Sequence, residues 1–234
     1  MSVFSRVART PMVRQMRNTV NDLIDGGYQK SFAQEGEDLI LMRYFERKRD
    51  GFYVDVGAHD PRRFSNTLLL YRQGWRGINI DATPGSMGRF RMLRPRDVSI
   101  ECAVAEQAGE ATLHLFDEPA LNTLDARLAG QHAAAGYRIV ARRPIPVCTL
   151  SQILERHLPA LQPIDLLSVD VEGFDLQVLR SNDWQRYRPS VIVVESLKAD
   201  DAPTPDTAAF LEGLGYRRFA QTVNSHFFEA PLRR

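Results

Sequence analysis

Apolar residues in this chain fall into short dense runs separated by stretches of helical spacing. Phe52-Tyr53-Val54-Asp55-Val56, Ile78-Asn79-Ile80-Asp81, Val98 to Val104, Ile164 to Asp170 and Val191-Ile192-Val193-Val194-Glu195 are rich in β-branched residues and bounded by turn formers, as buried strands are. Between them lie helix patterns. Ser31 is placed to cap the first, Glu35, Glu37 and Asp38 suit its opening turns, and Leu39, Ile40, Leu41, Tyr44 and Phe45 supply an apolar face up to about Arg49. Ser65-Asn66-Thr67 opens the next, through Tyr71. Arg89 to Leu93 forms a short one, Thr149-Leu150-Ser151 caps another, Leu176, Val178 and Leu179 mark a fifth, and Thr207 to Leu214 is the last. Ala111 to Phe116 alternates like an edge strand, and Ser225 to Glu229 suits an antiparallel partner for Tyr216 to Phe219. Strands alternating with helices build a parallel sheet. The pattern predicts a doubly wound, Rossmann-like α/β fold with a seven-stranded, mostly parallel sheet and an antiparallel C-terminal strand.

Two segments depart from that pattern. Val3 to about Leu23 mixes apolar residues with arginines and predicts an amphipathic helix interrupted near Pro11. Residues 1–30 are therefore set apart, as a segment that packs on the domain or on a second subunit, or that lies on a membrane surface. Residues 31–234 form the main domain. Within it, residues 117–146 are irregular and read as an insertion over the top of the sheet, where acceptor sites are commonly shaped.

Composition narrows the function classes. The 234 residues fit one α/β domain, and a net charge of +1 gives no basic surface for nucleic acid. Arg89, Arg91, Arg94 and Arg96 read as a solvated helix face, with a phosphate or uronate contact as the alternative. Cys102 and Cys148 stand far apart and outside any CxxC array, so neither a disulfide framework nor a zinc site is expected. No run is apolar enough to span a bilayer and no signal-peptide core follows the N-terminal arginines. A cytoplasmic setting is the expectation, with homo-oligomerisation open.

The chemistry sits at strand ends. Asp55, Asp81, Asp170 and Glu195 lie at or near the carboxyl ends of four predicted strands, which is where open parallel sheets bind ligands. An unpaired buried carboxylate costs several kcal/mol, so four on one edge point to something that bonds them. Gly57 follows the first strand, where backbone can approach a ligand closely. The spacing from Asp55 to Asp81 suits an acid that grips ribose hydroxyls. The intervening Gly57-Ala58-His59-Asp60-Pro61 lacks the later glycines of a pyrophosphate loop, which argues against a nicotinamide-dependent oxidoreductase and for a nucleoside without pyrophosphate. S-adenosylmethionine is the obvious candidate. The alternatives are that oxidoreductase and a non-catalytic scaffold that keeps the fold.

The ordered stretches Ser31-Phe32-Ala33-Gln34-Glu35-Gly36-Glu37-Asp38, Phe52 to His59, Phe64-Ser65-Asn66-Thr67, Gly74-Trp75-Arg76-Gly77-Ile78-Asn79-Ile80-Asp81, Ile164 to Gly173 and Ser181-Asn182-Asp183-Trp184 resemble the FkbM family of S-adenosylmethionine-dependent O-methyltransferases. The resemblance runs from about Ser31 to Glu195 and departs from the family at His59-Asp60-Pro61, where a Gly-rich loop is usual. It implies a class I methyltransferase fold and methyl transfer to a hydroxyl, of a sugar in a glycan, glycolipid or glycosylated metabolite. Asp55 and Gly57 would hold the cofactor's amino-acid end, or Asp55 would cap a turn. Asp81 would accept both ribose hydroxyls, or cap the following helix. Ala103 and Val104 would bracket adenine, or serve as core, and Gln34 would reach the cofactor's carboxylate. Asp170 and Glu172 are the candidates for taking the acceptor's proton. His59 is the rival base, since histidine titrates near neutrality in water. Asn66 would orient the acceptor or cap a helix. Asp170, Glu172 and Glu195 would alternatively hold Mg2+ or another divalent cation.

Overall fold

A computed structural model describes residues 29–46, 48–195 and 207–231. The helix expected between Val3 and Leu23 lies outside them. In chain order the elements are α1 (Glu37–Tyr44), β1 (Phe52–Val56), α2 (Leu68–Arg72), β2 (Arg76–Asp81), α3 (Met87–Leu93), β3 (Val98–Glu101), β4 (Ala103–Val104), β5 (Gly109–Phe116), a 3-10 turn (Pro119–Leu121), α4 (Ala126–Ala134), β6 (Ile139–Cys148), α5 (Leu150–His157), β7 (Leu166–Val169), α6 (Asp175–Arg180), β8 (Val191–Glu195), α7 (Thr207–Gly213), β9 (Arg217–Gln221) and β10 (Ser225–Glu229).

The main sheet has seven strands in the order β3-β2-β1-β7-β8-β10-β9. The first five run parallel, and β10 is antiparallel to both its neighbours. The chain builds outward from β1 to β3, then returns to place β7 on the other side of β1. That reversal opens a crevice beyond the ends of β1 and β7. Alternation along β1 divides its side chains between two cores. Phe52, Val54 and Val56 pack with Ile78 and Ile80 against α5, α6 and α7. Tyr53 packs on the opposite face with Leu166, Val193 and Phe227 against α1 and α2.

Several expected boundaries shift. α1 begins six residues after Ser31, behind a left-handed Gly36, and ends at Tyr44 instead of near Arg49. The Ser31 hydroxyl caps no helix. It donates to Asp38 (2.7 Å), whose other oxygen takes the Phe32 N–H (2.7 Å). Glu37 is likewise buried, and it accepts from Thr222, Ser225 and the Glu35 N–H. Asp38 thus closes the N-terminal turn on itself and Glu37 ties it to the C-terminal hairpin, so neither acid merely faces the helix dipole. The strand expected from Val98 to Val104 bends at Cys102, so β4 leaves the main sheet and joins β6 and β5 in a second, three-stranded one. The end of the insertion is strand: β6 runs from Ile139 to Cys148 beside β5. Arg94 lies on no solvated face. It is fully buried, donating to the Pro61 carbonyl, Ser65 and Thr67. Cys102 and Cys148 lie side by side, and burial followed by the second sulfur pushes the Cys102 thiol up to about 12. Among the described residues no helix is long and apolar enough to cross a membrane.

Candidate active site

A cleft opens beyond the ends of β1, β2 and β7, enclosing about 800 Å³ when the open solvent at its mouth is included. Its wall includes Gln34, Gly57, His59, Asp81, Ala103, Val104, Asp170 and Glu172. A smaller space of about 280 Å³ shares Gln34, Phe64 and Asp170 with it and adds Asn66 and Glu195. Ten of the eleven candidate residues thus meet in two adjoining chambers. Asp55 does not. The alternation along β1 turns it toward α2, where it accepts from Thr67 (2.7 Å) beneath Arg94. Burial raises its pKa against those stabilising partners. Of its two sequence readings the structure favours the structural one: it anchors the loop that follows β1.

Gly57 turns the chain out of β1 with φ +81°, and its N–H reaches the Ile80 carbonyl (2.9 Å). A Cβ built there would lie 1.7 Å from the Asp170 carbonyl oxygen. The ends of β1 and β7 are therefore in backbone contact, which brings the acids after β7 to the crevice. Asp81 accepts the His59 N–H (2.9 Å) on one oxygen and the Thr83 N–H (2.7 Å) on the other. It caps no helix at the start of α3. A carboxylate can accept two hydroxyls at once, which suits the vicinal pair of a ribose. Burial raises the Asp81 pKa, and the two amides oppose it. Beside it Ala82, Cys102, Ala103, Val104 and Leu113 form an apolar slot suited to a flat ring. Ala103 and Val104 are both core and wall, at 3% and 4% exposure. An acid for ribose, an apolar slot and a strand end clear of side chains fit S-adenosylmethionine.

Three carboxylates crowd the opposite end. One oxygen from each of Asp170, Glu172 and Glu195 lies within 4.8 Å of the others. Burial, then mutual repulsion, raises the pKa of Glu172 and Glu195, and burial raises Asp170 despite its bond with Glu195. No Lys or Arg forms an ion pair with this group among the described residues, and one Glu195 oxygen is buried without a hydrogen-bond partner. Such a set either holds a proton or holds a cation, and its hard oxygen donors suit a divalent one. Neighbouring Asp175 is pushed up to about 7 by burial first and Asp170 second. A carboxylate raised in the fold stabilises it at low pH and loses that contribution as pH climbs through the folded pKa. The melting temperature of cofactor-free, cation-free protein is expected to fall by on the order of 5 °C from pH 5 to pH 8. Asp175→Asn should flatten that fall, and a melting temperature rising over this window would contradict it.

His59 sits in the cleft wall with φ +52°, its ring stacked on Phe64 at 6.2 Å. No hydrogen bond joins it to the three acids among the described residues. Asn66 donates to Ser168 (3.2 Å), and the cap of α2 falls instead to Ser65, which accepts the Leu68 N–H. That leaves Asn66 in the smaller chamber without a capping role. Left-handed backbone at a residue with a Cβ costs on the order of 1–2 kcal/mol, and His59, Phe64 and Glu172 all adopt it. Three of the four non-glycine residues so described line this site.

Sequence reasoning placed an insertion over the sheet but named none of the residues that cover the cleft. Pro119, Ala120, Asn122, Thr123 and Leu124 close it from the segment after β5. Asn122 donates to Thr83 beside Asp81, Thr123 to the Glu172 carbonyl, and Glu118 pairs with Arg63. The available signal was positional only, since these residues fall inside the predicted insertion.

A parallel sheet with one inserted antiparallel strand, a nucleoside-sized cleft at its switch point and a cluster of acids beyond β7 define a methyltransferase-type α/β domain. The profile of the methyltransferase FkbM domain matches residues 55–218, and the chain belongs to that family. No curated protein sequence matches it. Among solved structures it is similar to a TehB-like SAM-dependent methyltransferase from Corynebacterium glutamicum, at 12% identity and TM-score 0.44 over 93% of this chain and 97% of that one. It is also similar to a putative O-methyltransferase from Klebsiella pneumoniae, at 13% and 0.41 over 94% and 88%. A third is the O-methyltransferase from Bacillus cereus in complex with SAH, at 12% and 0.39 over 94% and 89%.

Proposed function

We propose that this methyltransferase uses S-adenosylmethionine to methylate a hydroxyl oxygen, that of a sugar in a glycan, glycolipid or glycosylated metabolite. The observation that carries the proposal is the adjacency of two unlike halves across two adjoining chambers: Gly57, Asp81, Ala103 and Val104 on one side, and Asp170, Glu172 and Glu195 on the other. Bound there, the cofactor supplies an electrophilic methyl group on a cationic sulfur. Asp81 accepts the ribose hydroxyls, Ala103 and Val104 flank the adenine, and Gln34 meets the amino-acid end. Asn66 orients the acceptor hydroxyl in the smaller chamber. Asp170 and Glu172 take its proton as the oxygen attacks, and burial gives these carboxylates the basicity the task needs.

Calorimetric titration with S-adenosylmethionine and S-adenosylhomocysteine, with NAD as control, tests the cofactor assignment. Asp81→Ala is expected to weaken binding about 10- to 100-fold, the cost of leaving hydroxyl partners unmatched. Binding of NAD but neither sulfur compound would favour the oxidoreductase, and no binding by folded protein the scaffold.

A second reading rests on the same three acids, which would hold Mg2+ or a similar cation that lowers the acceptor's pKa. EDTA separates the two. Turnover lost on chelation and restored by Mg2+ supports the cation; turnover unchanged by EDTA supports a carboxylate base.

A further inference from the structure

Glu172 is the most awkwardly held member of the acid cluster. Asp170 and Glu195 project from the ends of strands, whereas Glu172 lies in the turn between β7 and α6, with a left-handed backbone at φ +50°. A turn residue in that conformation stays there only if its surroundings fix it. On one side of the turn Asp175 accepts the Val171 N–H at 3.4 Å. On the other, the Glu172 carbonyl accepts a hydrogen bond from the Thr123 hydroxyl at 2.8 Å.

Thr123 is built to deliver that bond. It is 1% exposed. Its N–H and its carbonyl both pair with His114 in β5, at 3.2 and 2.9 Å. The Asp125 N–H donates to its oxygen at 3.0 Å, which leaves the hydroxyl proton one direction, toward Glu172. The anchor is thus a strand-bound side chain with its rotor locked. It reaches from the three-stranded sheet across to the main one.

We propose that Thr123 is a positioning residue that holds the Glu172 turn, and through it the third carboxylate of the cluster, in register with Asp170 and Glu195. The proposal rests on the methyl-transfer reading above for its effect on turnover, though not for its effect on the turn. It makes the covering segment part of the catalytic geometry as well as a wall of the cleft.

Three readouts on the full chain test it. Thr123→Val keeps the shape and removes the hydroxyl, and Thr123→Ser keeps the hydroxyl. Hydrogen exchange of a peptide spanning residues 170–175 is expected to rise about tenfold in Thr123→Val and to stay at the wild-type rate in Thr123→Ser. In an acceptor assay, kcat should fall about tenfold in Thr123→Val with KM for S-adenosylmethionine changed by less than about threefold. In a Glu172→Gln background, Thr123→Val should cost little more, because both substitutions remove one function. Unchanged exchange in Thr123→Val, a loss additive with Glu172→Gln, or a serine variant as impaired as the valine would overturn the proposal. If the valine variant does not fold, Thr123→Ala is read by the same exchange measurement. Should no hydroxyl acceptor be turned over by the wild-type protein, the methyl-transfer reading fails, while the exchange result still decides whether Thr123 holds the turn.

Discussion

Replacing Gly57 by alanine is expected to lower the melting temperature by on the order of 10 °C and to abolish measurable cofactor binding. Two independent penalties combine. The backbone at φ +81° disfavours any residue with a Cβ, by about 1–2 kcal/mol. The new methyl group would also meet the Asp170 carbonyl oxygen at 1.7 Å and its carbon at 2.7 Å, both backbone atoms that cannot rotate aside. Relief requires the end of β7 to move away from β1, at a further cost of about 1–3 kcal/mol for forced packing. At roughly 2–4 °C per kcal/mol for a domain of this size, the sum gives the expected shift. Gly85 is the control. It has a similar φ of +83° but open space around it, so Gly85→Ala pays only the first penalty. Differential scanning fluorimetry of both variants with cofactor titration makes the comparison. A Gly57→Ala protein as stable as Gly85→Ala would mean that the contact between the two strand ends is not held in solution.

The second large effect concerns turnover with little change in stability. Asp170→Asn is expected to reduce kcat by about 10²- to 10⁴-fold, the usual worth of a positioned general base, while cofactor affinity changes by only a few-fold. Glu172→Gln should show a smaller loss of the same kind. The neutral amides also relieve the crowding of three carboxylates, so both variants should be at least as stable as wild type at pH 8. Rapid-quench measurement of a single turnover separates this chemical loss from any change in release. If Asp170→Asn keeps its rate and His59→Asn loses it, the base is the histidine, and its stacking on Phe64 becomes the feature that orients it.

The centre of the main sheet was legible because β1, β2, β7 and β8 are dense apolar runs that end at an acid or a turn, and parallel burial on two faces leaves little else for such runs to do. The same alternation held the correct fate of Asp55. Val54 and Val56 face one core, so the residue between them faces the other, away from the cleft. A short run with an acid inside it advertises a site more strongly than its geometry warrants. β6 was hidden by Arg142-Arg143-Pro144 and Pro146, which look hostile to a strand. They are tolerated because β4 pairs only with Val147 and Cys148, so β6 needs no amide donors on that side farther up. The bond from Thr123 to Glu172 joins residues far apart in sequence through one hydroxyl and one carbonyl. Nothing in periodicity or composition encodes such a contact. Ser31 misled for a related reason: its nearby acids looked like helix-dipole partners, yet they are spent on tertiary bonds to Thr222, Asn224 and Ser225.

The placement of β10 governs when the site comes into being. This last strand lies inside the sheet, between β8 and β9, and it carries Ser225 to the smaller chamber beside Glu195. During synthesis, β8 waits with one edge bare until β10 has left the ribosome and slid into the gap. Only then do Thr222 and Ser225 meet Glu37, and only then does the N-terminal turn carrying Gln34 lock against the hairpin. Both ends of the described domain are thus fastened in one closing event, and a nascent chain halted before Thr222 would lack both Ser225 of the smaller chamber and the lock on the turn that carries Gln34.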